Sequence, residues 1–204
     1  MERVFTKNNN EICLKGNEKF NILVIGVTHG DEPQGKFLIE KYLKLFPETV
    51  LAFIPVLNPD GVCLGCRTNA NGVDINRNFP TKNWVCSEKD EFYGGDSPSS
   101  EIETCFLVDI IKKYSPKLIL SLHAPFKIVN FDGEALVYAE QIANIMGYPV
   151  QSDIGYPTPG SFGTFSGLEK QIPTITLELD EECDVEDLVE PVFKVFKYLE
   201  TLIL

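Results

Sequence analysis

The sequence has few basic residues and no long hydrophobic run, and these two deficits exclude whole classes of protein. Lysine and arginine number 18 against 30 acidic residues, which gives a net charge of −12. A surface this acidic repels nucleic-acid phosphates and anionic lipids, so both are poor candidates as partners. The longest apolar stretches, at 22–27 and 50–57, fall well below the roughly 18 residues that a membrane-spanning helix needs. The N-terminus lacks the basic start and apolar middle of a signal peptide.

Length and composition indicate one folded domain. The chain has 204 residues, of which 44% are hydrophobic and 24% charged, as in an ordinary globular protein. At this length a full hydrophobic core is available, so we expect residues 1–204 to form a single domain. Six cysteines in a chain without a leader favour the reducing cytoplasm over a disulfide framework. The oligomeric state stays open.

Short apolar runs alternate with helical patterns along the chain. The runs at 21–27, 50–57, 117–122 and 174–179 predict buried strands, and helical spacing predicts helices at about 33–46, 99–114, 134–146 and 185–202. Between them, residues 58–98 form a long polar region. This order predicts an α/β fold of three layers, α/β/α, with a mixed, mostly parallel sheet. Polar motifs directly after the strands place a ligand site beyond the carboxyl ends of those strands.

The chain contains only two histidines, and each follows an apolar strand. His29 begins the motif H-G-D-E, so His29 and Glu32 stand three residues apart at a strand-to-helix turn. His123 would supply a third ligand from a neighbouring strand. Two imidazoles and one carboxylate suit Zn²⁺ and leave a fourth position for water. An isolated H-x-x-E also arises by chance, so a merely hydrogen-bonded histidine stays open as the alternative at this point.

A second set of motifs is longer and more specific. Residues 55–80 read PVLNPDGVCLGCRTNANGVDINRNFP, GD.P.SE.ET follows at 95–104, and GYPTPGSFG lies at 155–163. With H-x-x-E before them and the second histidine after, they resemble the zinc carboxypeptidase family, and within it the bacterial cytoplasmic murein peptide amidases. The resemblance runs from about Ile22 to Leu179. It implies a zinc carboxypeptidase-like catalytic domain with one Zn²⁺ ion as cofactor.

The resemblance also implies roles for the residues that match the family motifs. His29, Glu32 and His123 match the zinc ligands, and Asp74 matches the carboxylate that orients a ligand imidazole. Glu178 matches the general base, although a solvent-facing residue of an alternating strand is the other interpretation of its position.

Four further residues match the part of the family site that binds substrate. Arg67 corresponds to the arginine that stabilises the oxyanion, and Asn76 with Arg77 corresponds to the pair that binds the terminal carboxylate. Tyr156 corresponds to the tyrosine that closes over substrate, with a loop tyrosine packed on Pro157 as the alternative. Two of the three arginines in the chain lie in one loop of this acidic protein, which favours anion recognition.

The function implied is a zinc metallocarboxypeptidase that cleaves the γ-D-glutamyl–diaminopimelate bond of murein tripeptide in cell-wall peptide recycling. The expected partner is this small peptide, with no nucleic acid and no membrane. Two alternatives stay open: an N-acyl amino acid amidohydrolase of the succinylglutamate desuccinylase and aspartoacylase group, and an inert zinc-containing module that only binds peptide. Ala124 stands where the similar amidases carry an acidic residue, which leaves the residue at the leaving position open.

Overall fold

A seven-stranded mixed sheet forms the centre of the molecule. The computed structural model describes residues 2–153 and 155–202; residues 1, 154, 203 and 204 of the predicted domain lie outside that description. A separate antiparallel hairpin at the N-terminus consists of β1 (Arg3–Phe5) and β2 (Glu11–Cys13). The strands of the large sheet are β3 (Lys15–Gly16), β4 (Ile22–Ile25), β5 (Ala52–Ile54), β6 (Leu118–His123), β7 (Ile128–Asp132), β8 (Val150–Gln151) and β9 (Thr174–Glu178).

The strand order in this sheet is β3-β5-β4-β6-β9-β7-β8. The four neighbours β5, β4, β6 and β9 run parallel, while β3 and β7 pair antiparallel with β5 and β9. β8 pairs parallel with β7. The carboxyl ends of the four parallel strands therefore meet at one edge of the sheet.

Helices cover both faces of the sheet. The helices are α1 (Gln34–Leu45), α2 (Pro59–Leu64), α3 (Ile102–Tyr114), α4 (Leu136–Met146) and α5 (Val189–Glu200). Buried residues of α1, α4 and α5 form one core cluster with alternate strand residues, whereas those of α3 form a second cluster with the others. The central strands β4, β5 and β6 thus bury both of their faces, as their apolar runs require. The predicted three-layer α/β fold is confirmed.

The four predicted strands are all present, but the polar parts of the fold differ from expectation. The predicted helix at 185–202 begins with a 3-10 turn at Val185–Leu188 and becomes α-helical only at Val189. The long polar region at 58–98 contains α2 and a 3-10 turn at Ile75–Arg77. The strands β1, β2, β3, β7 and β8 were not predicted. Among the described residues, no helix combines the length and apolarity needed to cross a membrane.

Candidate active site

Two neighbouring parallel strands bring the predicted zinc ligands together. His29 and Glu32 lie in the turn between β4 and α1, and His123 is the last residue of β6. β4 and β6 are paired, so the turn and His123 lie at the same edge of the sheet. The turn packs closely on α2, since a Cβ atom at Gly30 would lie 2.0 Å from the backbone of Gly61. Only glycine allows this approach.

The three side chains converge on one point. Nδ1 of His29 lies 2.7 Å from one carboxylate oxygen of Glu32, and Nδ1 of His123 lies 3.0 Å from the other. The ligand atoms all lie within 4.8 Å of one another, and both rings are buried. Two imidazole nitrogens and one carboxylate are a donor set that suits Zn²⁺. The residues present therefore fit a zinc ion.

His29 and Glu32 each shift the pKa of the other. Burial opposes the charged form of His29, but Glu32 and Asp74 outweigh it and raise the pKa of His29 to about 9. Burial likewise disfavours the ionised Glu32, yet the two imidazoles hold the pKa of Glu32 well below its usual range. Because metal ligands must be deprotonated, a cation bound here would release the extra proton of His29, so metal affinity depends on pH.

Asp74 connects the ligand cluster to the polar loop. Its Oδ1 atom accepts hydrogen bonds from Nε2 of His29 at 3.2 Å and from the backbone N–H of Asn76 at 2.8 Å. Its Oδ2 atom accepts from Nε and Nη2 of Arg67 at 3.0 and 2.9 Å. The side chain is fully buried, and these partners hold the pKa of Asp74 well below its usual range despite burial. This arrangement leaves Nδ1 of His29 as the nitrogen that faces Glu32.

Glu178 lies beside the ligand cluster at the end of β9. The strand register places it directly opposite His123. The side chain is buried, and burial raises the pKa of Glu178 to about 7, the charges of nearby His123 and Glu32 acting in opposite directions. Its Oε2 atom is buried without a hydrogen-bond partner. A buried carboxylate with an unused oxygen can bind and transfer the proton of a reactant.

The residues predicted to bind substrate line the same pocket. Arg67 lies next to the ligands, with Nη1 3.4 Å from Nδ1 of His29. Asn76 accepts the backbone N–H of Phe162 at 2.9 Å, which leaves its side-chain NH₂ group for a ligand. Arg77 is buried, and Tyr156 is 43% exposed at the pocket wall. All predicted site residues except Asp74, which lies behind His29, therefore line one pocket.

The pocket also has a polar wall that the sequence interpretation missed. Ser121, Thr176 and Asn130 lie side by side on β6, β9 and β7, and Ser121 Oγ is buried without a partner. Ser121 and Thr176 stand two residues before His123 and Glu178, so strand alternation could have identified them. Asp132 lies farther along the same wall, and burial raises the pKa of Asp132 to about 6. A Cβ atom at Gly163 would lie 2.0 Å from its carboxylate.

The comparison with protein families agrees with this geometry. A family model described as zinc carboxypeptidase matches residues 4–134, more than half of the chain. The chain belongs to the zinc carboxypeptidase family. The resemblance predicted from the motifs is thereby confirmed, and with it membership of a family of zinc-dependent hydrolases. The matched segment ends before Tyr156 and Glu178, so the assignment of these two residues depends on the geometry above.

Two of the similar proteins are murein peptide amidases. The chain is 36% identical over 157 residues to murein peptide amidase A of Escherichia coli strain K12, which covers 70% of this chain and 64% of that protein. It is 35% identical over 173 residues to murein peptide amidase A of Vibrio campbellii, which covers 77% and 68%. The aligned part thus spans just under two thirds of the Escherichia coli relative.

Solved structures confirm the zinc carboxypeptidase-like fold. The crystal structure of a murein-tripeptide amidase from Escherichia coli O157 matches with a TM-score of 0.87 at 28% identity, covering 98% of this chain and 91% of that one. Thrombin-activatable fibrinolysis inhibitor matches with a TM-score of 0.78 at 18% identity, covering 99% and 70%. At that lower identity the likeness extends to the fold alone.

Proposed function

We propose that this chain is a zinc-dependent amidase with one Zn²⁺ ion, which hydrolyses the γ-D-glutamyl–diaminopimelate bond of murein tripeptide. The observation that carries the proposal is one pocket in which a zinc donor set, a buried carboxylate with an unused oxygen and two guanidinium groups meet. The similar proteins named murein peptide amidases support the class of substrate. We further propose that His29, Glu32 and His123 hold the ion.

The chemistry assigned to the pocket divides between three side chains. When bound, zinc supplies a Lewis acid that polarises the scissile carbonyl and lowers the pKa of water. Glu178 accepts the proton of the attacking water and later delivers it to the leaving amine. Arg67, whose charge lies beside the ligands, stabilises the negative charge that develops on the carbonyl oxygen. Asp74 keeps His29 in place through one hydrogen bond and Arg67 through two.

The other side of the pocket selects the end of a peptide. Asn76 and Arg77 bind the terminal carboxylate of the leaving residue, because a guanidinium can hold a carboxylate with two parallel hydrogen bonds. Tyr156 contacts the substrate from the pocket wall. An internal peptide bond offers no carboxylate at this position and is rejected. These assignments predict a carboxypeptidase-type specificity.

Asp132 supports diaminopimelate as the leaving residue. Diaminopimelate carries a second ammonium group on its side chain, and Asp132 is a pocket carboxylate without a hydrogen-bond or ion-pair partner among residues 2–153 and 155–202. An ammonium group would compensate its charge. A hydrogen bond to a charged group contributes about 1.5–3 kcal/mol, so Asp132→Asn should raise KM for the tripeptide by about 10- to 150-fold. The effect on a tripeptide with a neutral leaving side chain should be small.

The decisive experiment is incubation of zinc-loaded protein with a panel of muropeptides, with mass spectrometry of the products. Release of diaminopimelate from the tripeptide, and its absence with Glu178→Gln, is the expected result. Turnover of N-acetylaspartate or N-succinylglutamate instead would favour the amidohydrolase alternative. Binding of tripeptide with no product from either protein would favour the inert module.

The predicted cytoplasmic location belongs to the same proposal. None of the six cysteines forms a disulfide, which agrees with a reducing compartment. Fractionation of cells that express the protein would test the location.

A further inference from the structure

One aromatic ring, in a groove that shares Arg77 and Tyr156 with the pocket, contacts both site arginines. The guanidinium carbon of Arg67 lies 5.3 Å from the centroid of the Phe92 ring, and that of Arg77 lies 5.8 Å from the same centroid. Both distances are within the roughly 6 Å at which a cation is attracted to an aromatic face. Phe92 is 44% exposed, so part of its ring lies open to solvent.

Arg77 depends on this contact more than Arg67 does. Arg67 forms an ion pair with Asp74, whereas Arg77 has no ion pair with any carboxylate of the described chain. The buried guanidinium of Arg77 donates one hydrogen bond, from Nη1 to the backbone carbonyl of Asn76 at 2.7 Å. A buried cation with so few partners is costly unless something compensates its charge.

An aromatic ring compensates the charge of Arg77 without using the hydrogen-bond donors of its guanidinium group. A carboxylate beside Arg77 would hold the same N–H groups that a substrate carboxylate needs, and would compete with substrate. The face of a ring attracts the cation electrostatically and takes none of its hydrogen-bond donors. Acidic residues do flank Phe92 in sequence, but the carboxylate of Asp90 accepts the backbone N–H of Phe92 at 2.8 Å instead of binding an arginine.

The backbone around Phe92 is anchored to the site. The N–H of Asp74 donates to the carbonyl of Tyr93 at 2.8 Å, and the side chain of Asn78 donates to the carbonyl of Gly94 at 2.8 Å. The segment that carries Phe92 is therefore hydrogen-bonded to the residue that orients His29 and Arg67. This connection keeps the ring at a defined place relative to both guanidinium groups.

We propose that Phe92 is a positioning residue that holds the guanidinium groups of Arg67 and Arg77 at a fixed spacing and leaves the charge of Arg77 free for a carboxylate ligand. The proposal rests on the proposed function of these arginines in substrate binding. Phe92 acts through them and takes no part in the proton transfers. Its removal should weaken carboxylate binding and leave the metal site intact.

The test compares Phe92→Leu, which keeps an apolar side chain but loses the ring face, with Phe92→Tyr and Phe92→Trp, which keep it. Binding of diaminopimelate to zinc-loaded protein is measured by calorimetry, together with zinc content and melting temperature. Loss of two cation–ring contacts should weaken binding by about 5- to 20-fold in Phe92→Leu, and the aromatic variants should bind like wild type. In an Arg77→Ala background, Phe92→Leu should reduce the affinity for diaminopimelate by a smaller factor, since one of the two cations is gone.

Kinetics add a readout that a general structural defect would not produce. With tripeptide, Phe92→Leu should raise KM several-fold more than it lowers kcat, and the change should be smaller on a C-terminally amidated analogue. Equal affinity of the leucine and tyrosine variants for diaminopimelate, or no binding even by wild type, would overturn the role of Phe92. Failure of wild type to cleave tripeptide would instead overturn the proposed function, because the calorimetric comparison needs no turnover.

Discussion

Replacement of Asp74 by asparagine is the sharpest test of the candidate site. The two side chains have the same shape, but one carboxylate oxygen becomes an NH₂ group. Oδ1 serves His29 and the backbone of Asn76, and Oδ2 serves two donors of Arg67. In either orientation of the amide, an NH₂ group would face two N–H donors, so two of the four hydrogen bonds are lost.

The magnitude follows from burial. Asp74 is fully buried, while 22% of the Arg67 side chain is exposed and can regain some hydration. Breaking a buried ion pair costs about 3–5 kcal/mol, and we expect the lower end of that range. Since His29 also loses its orienting partner or keeps a weakened one, zinc affinity should fall by about 10- to 100-fold. Chelator competition measures the affinity, and chemical denaturation measures the free energy of unfolding.

The pH dependence of this loss has a definite sign. The pKa of Asp74 is lowered in the folded state, so its contribution to stability is present above its unfolded pKa and is lost as the pH falls. The difference in the free energy of unfolding between wild type and Asp74→Asn should therefore shrink only below about pH 4. Glu103→Gln is a control for measurements above pH 7, where it also removes one buried negative charge but breaks no ion pair. Wild-type zinc affinity and stability in Asp74→Asn would refute the assigned role.

The remaining predictions concern the base, a ligand and a buried acid. Glu178→Gln should lower kcat by about 10²–10⁴-fold with zinc retained, as measured by steady-state kinetics and metal analysis; an unchanged kcat would contradict its role as base. His123→Ala should abolish stoichiometric zinc, so full metal content after dialysis would contradict the ligand assignment. Burial raises the pKa of Glu103 to about 7, so its ionisation destabilises the fold progressively from about pH 4.5 to 7. Glu103→Gln should therefore melt at a higher temperature than wild type at pH 8 and at a similar temperature at pH 4.5. The same difference in melting temperature at both pH values would contradict the raised pKa of Glu103.

The parts of the fold that the sequence predicts are those with a strong hydrophobic pattern. β4 and β5 are apolar throughout and β6 nearly so, and burial of both faces is what their apolar runs indicate. β9 alternates polar residues with Ile175 and Leu177, a period of two that also predicts a strand. β7 escaped prediction because its sequence, IVNFD, ends in half-buried and polar residues that resemble a loop. Asp132 was missed for the same reason, since its place in the pocket depends on that strand.

The sequence motifs identify the site residues, but they do not predict which of these residues contact each other. The H-x-x-E spacing and the motif around Asp74 and Arg77 specify residue types, whereas the pairing of Asp74 with both His29 and Arg67 depends on the path of the polar loop. That loop has no hydrophobic periodicity, so its path cannot be predicted from the sequence. The contact of Phe92 with two arginines is of this kind, because only tertiary hydrogen bonds bring the segment to the pocket.

The position of Glu178 is determined by the same alternation that builds the core. In β9, Ile175 and Leu177 pack in the cluster with α1, α4 and α5, while Thr174, Thr176 and Glu178 point to the opposite face. A shift of β9 by one residue would place leucine in the pocket and a carboxylate in the core. The cost of burying that carboxylate excludes the shifted register. The hydrophobic pattern of β9 therefore places Glu178 on the pocket face, where the observed register sets it opposite His123.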